Sequence, residues 1–270
     1  MINKDTQLCI SLASRPSNFG TTLHNAAYGA LGLNFVYKAF GISDLEGALT
    51  GVRALNIRGC SVSMPFKEAV LPLLDDLDET ARLIGAVNTI VNDAGRLVGY
   101  NTDAVGARKA LEAIRAKPGE TVLLLGAGGI AHAVVFALRQ LGFSQVLVAN
   151  RDLNKVQLLN SILPCEAVPW KERHKISADL LINATSVGMS PDVEQTPMDA
   201  EFLRQSRAVM DVVVSPMETK LIREARLLGL EVAPGHLISL EQAIAQFRLY
   251  TGVVPPRALL ESKIRELQAQ

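Results

Sequence analysis

The chain has 270 residues, 27 of them basic and 27 acidic, with a formal net charge of zero. That length buries one large core or two modest ones. Balanced charge without a long like-charge run argues against nucleic acid or an anionic membrane surface as a partner. Cys9, Cys60 and Cys165 are too far apart for a zinc or redox pair. His24, His132, His174 and His236 show no ligand spacing, so no metal is expected. Residues 1–5 lack the apolar stretch of a secretory signal, and a reducing cytoplasm is the expected home.

Short apolar strands alternate with amphipathic helices along most of the chain, the pattern of parallel α/β architecture. In the first hundred residues, strands are predicted at 7–12, 35–39 and 59–63, and helices at 22–31, 45–56 and 67–74. Ser43-Asp44-Leu45-Glu46 reads as a capping box that opens the second helix. Segments 87–92 and 97–100, joined across Asp93-Ala94-Gly95, read as a hairpin. A helix at 104–116 leads into a second series of strands at 122–125, 146–149, 180–183, 209–214 and 231–232, a five-strand doubly wound pattern. Helices at 240–250 and 257–268 close the chain on either side of Pro255-Pro256 and are expected to pack back on the first domain. The expected division is 1–102 with 238–270 as one domain and 103–237 as the other. The uncharged run 122–138 contains glycines and a histidine and reads as strand, turn and helix rather than a membrane span.

The most informative stretch is Thr121-Val122-Leu123-Leu124-Leu125-Gly126-Ala127-Gly128-Gly129-Ile130-Ala131, a buried strand turning on glycines into a helix. Gly126, Gly128 and Ala131 occupy the small-residue positions of a dinucleotide fingerprint. The first allows the tight turn, the second lets backbone approach a pyrophosphate, and the third keeps helix close to strand. Phosphate then sits on unpaired amides where the helix dipole favours negative charge. After the next strand, an NAD-binding unit usually places Asp or Glu against the ribose 2′-hydroxyl. Here Asn150-Arg151 stands there, and the planar arginine fork suits a 2′-phosphate, so NADP is the expected cofactor. Asp152 beside Arg151 can neutralise that fork or repel the phosphate, which keeps NAD possible.

Ser61-Val62-Ser63-Met64-Pro65-Phe66-Lys67-Glu68 closes a strand and opens a helix, and Pro65 suits the first helical position. Lys67 then falls in the opening turn, where the dipole disfavours a cation. That field suits a group that exchanges protons, and an exposed lysine offset by Glu68 explains the residue equally well. Asn101-Thr102-Asp103 ends another strand; Asp103 either caps the next helix or faces a ligand at the carboxyl edge of the sheet. Asn88 lies in an otherwise apolar strand and needs a partner or a ligand. Gln242 has a complete structural explanation as part of the capping box Ser239-Leu240-Glu241-Gln242.

In chain order, His24-Asn25, Val62-Ser63-Met64-Pro65-Phe66-Lys67, Gly85-Ala86-Val87-Asn88-Thr89 and Asn101-Thr102-Asp103 are followed by Gly126-Ala127-Gly128-Gly129 and Asn150-Arg151. Asn183-Ala184-Thr185-Ser186-Val187-Gly188-Met189, Asp211-Val212-Val213 and Gln242 complete the series. Together these segments resemble the shikimate/quinate dehydrogenase family over essentially the whole chain. The resemblance implies an α/β enzyme of two domains: an N-terminal α/β substrate domain completed by the C-terminal helices, and a doubly wound Rossmann NADP-binding domain. It implies reversible hydride transfer between NADP(H) and a cyclic polyol carboxylic acid, in the setting of aromatic amino acid biosynthesis. Lys67 and Asp103 match the family's catalytic pair, and Asn88, Asp103 and Gln242 match residues that bind ring hydroxyls. Ser63 takes the place of the family's threonine. Asn18 and Gly20 stand where two serines grip the substrate carboxylate. Cofactor contacts are expected from Gly126, Ala127, Gly128, Gly129, Ile130, Asn150, Arg151, Thr185, Val187, Gly188, Met189 and Val212. Departures at Asn18, Gly20, Thr21, Ser61, Val214, Leu237 and Ile238 point to a shikimate-dehydrogenase-like branch. The competing expectations are a quinate or other polyol dehydrogenase using NAD, and a catalytically weak nucleotide-responsive binding protein. The assembly is expected to be a monomer or homodimer.

Overall fold

The computed structural model describes residues 2–162 and 164–268. They form two compact units, Met1–Thr102 with Leu240–Gln270, and Asp103–Ser239.

The sheet of the first unit contains β1 (Gln7–Ala13), β2 (Phe35–Gly41), β3 (Gly59–Val62), β4 (Asp76–Leu77), β5 (Thr89–Asp93) and β6 (Arg96–Tyr100), in the order β2-β1-β3-β5-β6-β4. β1 runs parallel to β2 and β3, whereas β5 is antiparallel to β3 and β6. The predicted hairpin is present. Ala94 (φ 51°) and Gly95 (φ 92°) both adopt left-handed backbone between the paired Asp93 and Arg96. Two such residues make the turn whose twist matches paired strands, and Asn92 Oδ1 accepts from the Gly95 amide at 2.7 Å.

Helices α1 (Phe19–Ala30), α2 (Leu45–Ala54), α3 (Phe66–Ala69) and α4 (Glu79–Ile84) belong to this unit. The cap of α2 differs from the expected box by one residue. Asp44, not Ser43, is the N-cap, and its Oδ1 accepts from the Gly47 amide at 2.9 Å. Glu46 therefore lies at the second helical position rather than the third, where it would reach back. The predicted helix 67–74 breaks into α3 and a tight turn at Leu71–Leu73, because Pro72 offers no amide proton. Pro65 serves as the N-cap of α3 rather than its first residue.

The second unit holds an all-parallel sheet of six strands: β7 (Val122–Leu125), β8 (Val146–Asn150), β9 (Glu166–Pro169), β10 (Leu180–Asn183), β11 (Ala208–Asp211) and β12 (Glu231–Ala233). Their order, β12-β11-β10-β7-β8-β9, reverses direction between β7 and β10, the switch point where doubly wound sheets bind ligands. Strand β9 escaped the sequence reading. Only Val168 of its four residues is buried, so the apolar run of an inner strand is missing, and Pro169 is tolerated because β9 is an edge. The strand predicted at 209–214 ends at Asp211, whose carboxylate takes the Val213 amide at 3.0 Å and turns the chain out of the ladder. Helices α5 (Asp103–Ala113), α6 (Gly129–Gln140), α7 (Leu153–Ile162), α8 (Ala200–Leu203) and α9 (Lys220–Leu227) flank this sheet. Along β7, Val122 and Leu124 enter one core while Leu123 and Leu125 enter the core on the other face.

α10 (Gly235–Thr251) belongs to the first unit from Leu240 onward, and α11 (Arg257–Gln268) packs on α1. Gly59 in β3 admits this layer: a Cβ there would stand 2.2 Å from the Tyr250 ring. The predicted start at 240 falls five residues inside α10.

Candidate functional site

In the second unit, β7 delivers the chain to Gly126, whose φ of +100° is reserved in practice for glycine. A Cβ there would also stand 2.9 Å from the Ala184 carbonyl oxygen. Gly128 is the N-cap of α6 and Gly129 its first residue, and no side chain caps this end. A Cβ added at either glycine would meet nothing within 4 Å, so the loop borders open space. Ala131 is fully buried, keeping α6 close to the sheet.

A cavity of about 550 Å³ opens at this loop. Gly126, Ala127, Gly128, Asn150, Arg151, Thr185 and Val187 line it, bringing together seven of the predicted cofactor residues. Gly129, Ile130, Gly188, Met189 and Val212 are not part of its lining. Lys155 and Trp170 are, and sequence reasoning missed both. Arg151 precedes α7 and Lys155 lies in its first turn, so no helical spacing joins the two in the sequence and the fold brings them to one cavity. Trp170 follows the edge strand β9, and Arg173 stacks on its ring at 4.2 Å. Asp152 also lines the cavity, but its Oδ1 accepts from the Asn154 amide at 3.0 Å, at the start of α7. Its charge thus rests partly on a helix N-terminus.

The loop after β10 is held by its own strand end. Asn183 Oδ1 accepts from the Thr185 amide (3.0 Å) and hydroxyl (2.6 Å). Its Nδ2 donates to the Val187 carbonyl at 3.2 Å and to Asp211 Oδ1 at 3.0 Å. Asp211 is fully buried, and burial pushes its carboxyl up to about 6 despite donors from Thr219, Val213 and Asn183.

In the first unit, Asn88 is fully buried immediately before β5. Its Oδ1 accepts from the Thr102 amide and the Thr89 hydroxyl, each at 2.8 Å. A backbone amide only donates, so the carboxamide is held with oxygen toward Thr102. Nδ2 is left buried without a hydrogen-bond partner. An orphaned donor of this kind is costly, and a ligand oxygen satisfies it. Lys67 is half-buried on α3, whose Lys67 carbonyl accepts from the Val87 amide at 2.8 Å. Ser63 is exposed just beyond β3, its amide bonded to the Leu12 carbonyl at 3.0 Å. Asn18 is exposed at the N-cap of α1 and makes no side-chain cap. Gly20 packs beneath Tyr37: a Cβ there would stand 3.2 Å from the tyrosine hydroxyl oxygen.

Gln242 is not a cap. Ser239 to Gln242 lie inside α10, which removes the capping box as its explanation. Gln246, one turn later and unremarked in the sequence, is buried with its amide directed at Ser61, Asn88 and Thr89. Asp103 opens α5 in the second unit; it is buried and sits in the first turn rather than at the cap. Among the described residues no group of three or more His, Cys, Asp or Glu is placed to hold a metal, and no helix is long and apolar enough to cross a membrane.

A glycine loop feeding an uncapped helix at the switch point of a doubly wound sheet defines a dinucleotide-binding α/β protein. Residues 19–90 match the shikimate dehydrogenase substrate binding domain, and residues 107–217 match shikimate/quinate 5-dehydrogenase. The chain is 44% identical over 262 residues to a shikimate dehydrogenase-like protein of Haemophilus influenzae, covering 96% of each. It is 41% identical over 257 residues to the shikimate dehydrogenase (NADP(+)) of Moorella thermoacetica, covering 90% of this chain and 87% of that one. The solved structure of Thermus thermophilus shikimate 5-dehydrogenase in complex with NADP(H) and shikimate matches with a TM-score of 0.86 at 36% identity, covering 96% of this chain and 99% of that one. The chain belongs to the shikimate/quinate dehydrogenase family.

Proposed function

We propose that the protein is an NADP-dependent oxidoreductase of the shikimate dehydrogenase type. It interconverts a hydroxyl and a carbonyl on the ring of a hydroxylated cyclic carboxylic acid, shikimate and 3-dehydroshikimate or a close relative. The observation that carries this reading is the gathering of the Gly126–Gly128 backbone with Asn150, Arg151 and Lys155 around one cavity. Backbone amides at a helix start suit a pyrophosphate, and two cations lining the same cavity suit a 2′-phosphate. Open space beyond Gly128 and Gly129 is the cradle a close backbone approach requires.

NADP(H), when bound, supplies or takes up the hydride. Lys67 takes the proton from the reacting hydroxyl during oxidation and returns it during reduction. Asp103 accepts a hydrogen bond from a substrate hydroxyl. Asn88 Nδ2 donates to a ring oxygen, which ends its isolation, and Gln242 binds a further hydroxyl from α10. Asn18 and Ser63 face the carboxylate end. Gly129 and Ile130 extend the phosphate-binding turn, and Thr185, Val187, Gly188, Met189 and Val212 line the nicotinamide half. The protein works in the cytoplasm as a monomer or homodimer, a setting consistent with three free cysteines.

Steady-state assays of shikimate and quinate with NADP and with NAD test the reading. Lys67→Ala and Asp103→Asn should each lower kcat by about 10²–10⁴-fold, the usual worth of a positioned acid or base, with NADP affinity little changed. Near-wild-type kcat in either variant overturns its role. A second reading, a nucleotide-responsive binding protein, is favoured by the rebuilt stretch 18–21, where Asn18 and Gly20 stand in place of two carboxylate-gripping serines. It wins if NADP binds tightly and neither acid is turned over.

A further inference from the structure

Gln246 lies on α10 and is 3% exposed, so its amide has no solvent to satisfy it. Nε2 stands 2.8 Å from Thr89 Oγ1, 3.2 Å from the Asn88 carbonyl oxygen and 3.3 Å from Ser61 Oγ. The Asn88 carbonyl only accepts, which settles that the amide nitrogen, not its oxygen, faces this group. An amide nitrogen only donates, so the Thr89 hydroxyl receives a proton from Gln246. Its single proton is then directed onward to Asn88 Oδ1 at 2.8 Å, the nearer of its two remaining neighbours, the other being Thr102 Oγ1 at 3.2 Å. Oδ1 meets the Thr102 amide at 2.8 Å and the Thr102 hydroxyl at 3.1 Å as well. Rotating the Asn88 carboxamide would set Nδ2 against the Thr102 amide, which cannot accept, and a buried donor facing a donor is strongly disfavoured.

We propose that Gln246 is a positioning residue: through Thr89 it directs a second donor at Asn88 Oδ1 beside the Thr102 amide, and the two together hold the Asn88 carboxamide with Nδ2 offered as a donor to the substrate. This rests on the substrate role proposed for Asn88. The chain runs from Gln246 to Thr89 to Asn88, so one of the donors fixing this amide is directed from a helix 157 residues away in sequence from Thr89. A substrate hydroxyl oxygen meeting Nδ2 is thereby read as an acceptor.

The test uses the full-length protein with shikimate and NADP. Gln246→Met keeps length and apolar volume but removes the donor, and Gln246→Glu keeps shape but replaces donor by acceptor. Both should lower kcat/KM for shikimate by about ten- to a hundredfold while KM for NADP stays within twofold. Thr89→Val, which removes the relaying hydroxyl, should reproduce the loss and serves if the Gln246 variants fold poorly. In an Asn88→Ala background, Gln246→Met should change kcat/KM less than twofold, because the group it positions is gone. Full additivity of the two losses overturns the proposal. A second readout needs no turnover: the Asn88 side-chain amide signals in ¹⁵N–¹H spectra should shift and lose exchange protection in Gln246→Met. Unchanged signals overturn the proposal even if wild-type protein leaves shikimate untouched, an outcome that would instead sink the substrate reading.

Discussion

Asn183 Nδ2 donates to Asp211 Oδ1 at 3.0 Å across the paired ends of β10 and β11. The same Asn183 carboxamide holds Thr185 and Val187, so one buried carboxylate sets the shape of a loop lining the nucleotide cavity. Asn183→Ala should cost about 1–3 kcal/mol of stability, the usual penalty for orphaning a buried group, and should raise KM for NADP. Urea unfolding and cofactor titration check both. Asp211 also carries a pH signature. Its folded carboxyl is raised from 3.8 to about 6, so the folded state holds the proton more tightly than the unfolded state. Its contribution is therefore greatest at low pH and is lost as pH rises from about 4 through 6. Asp211→Asn should remove that slope.

Gly126 and Gly128 should separate stability from binding. Gly126→Ala forces a Cβ against the Ala184 carbonyl at a φ of +100°. A loss of about 1–3 kcal/mol is expected from backbone strain alone, with more from the contact. Gly128→Ala meets nothing in the folded protein, so its melting temperature should be unchanged while NADPH affinity falls. Equal melting temperatures for the two variants would contradict this division.

Arg151 and Lys155 are expected to distinguish the two nicotinamide cofactors. A charge-assisted hydrogen bond to phosphate is worth about 1.5–3 kcal/mol, so Arg151→Ala should weaken NADP binding by about 10–100-fold. Lys155→Ala should weaken it in the same sense, and NAD affinity should stay within twofold in both. Trp170, the only tryptophan of the chain, lines the cavity and provides the fluorescence readout. Asp152→Asn should tighten NADP binding if its carboxylate still opposes the 2′-phosphate.

His24 is buried and stacks nearly parallel on the Tyr37 ring, centroids 4.5 Å apart, with the Phe247 ring at 5.9 Å. Burial pushes the imidazole down to about 4, against a smaller opposing interaction with the Gln246 side chain. The unfolded chain takes up this proton near 6.5, so stability falls as pH drops from 6.5 toward 4, by roughly 3 kcal/mol. His24→Phe should flatten that limb of the stability profile. Asp211 slopes the other way over an overlapping range, which is why the single variants, not the wild-type curve, are decisive.

The turns and the glycine loop were legible because their causes are local. Ala94-Gly95 between alternating strands and Gly126 between strand and helix need only a few residues of backbone geometry to be recognised. Strand β9 was not legible, since an edge strand with one buried side chain carries no apolar rhythm. Gln246 was hidden for a different reason, whereas Gln242 was singled out by the resemblance alone. The local capping pattern at Ser239 offered a sufficient explanation for Gln242, and nothing near Gln246 in sequence announced its partners.

The order of strands and helices, the phosphate-binding turn and the placing of Lys67 and Asp103 in the opening turns of α3 and α5 follow largely from the residue pattern by itself, since propensity, capping and backbone freedom act over one or two turns. Which way the Asn88 amide points, what Asp211 anchors and which cation joins Arg151 were decided only on folding. A hydrogen bond between distant segments exists only where the packed sheet and helices bring donor and acceptor within about 3 Å.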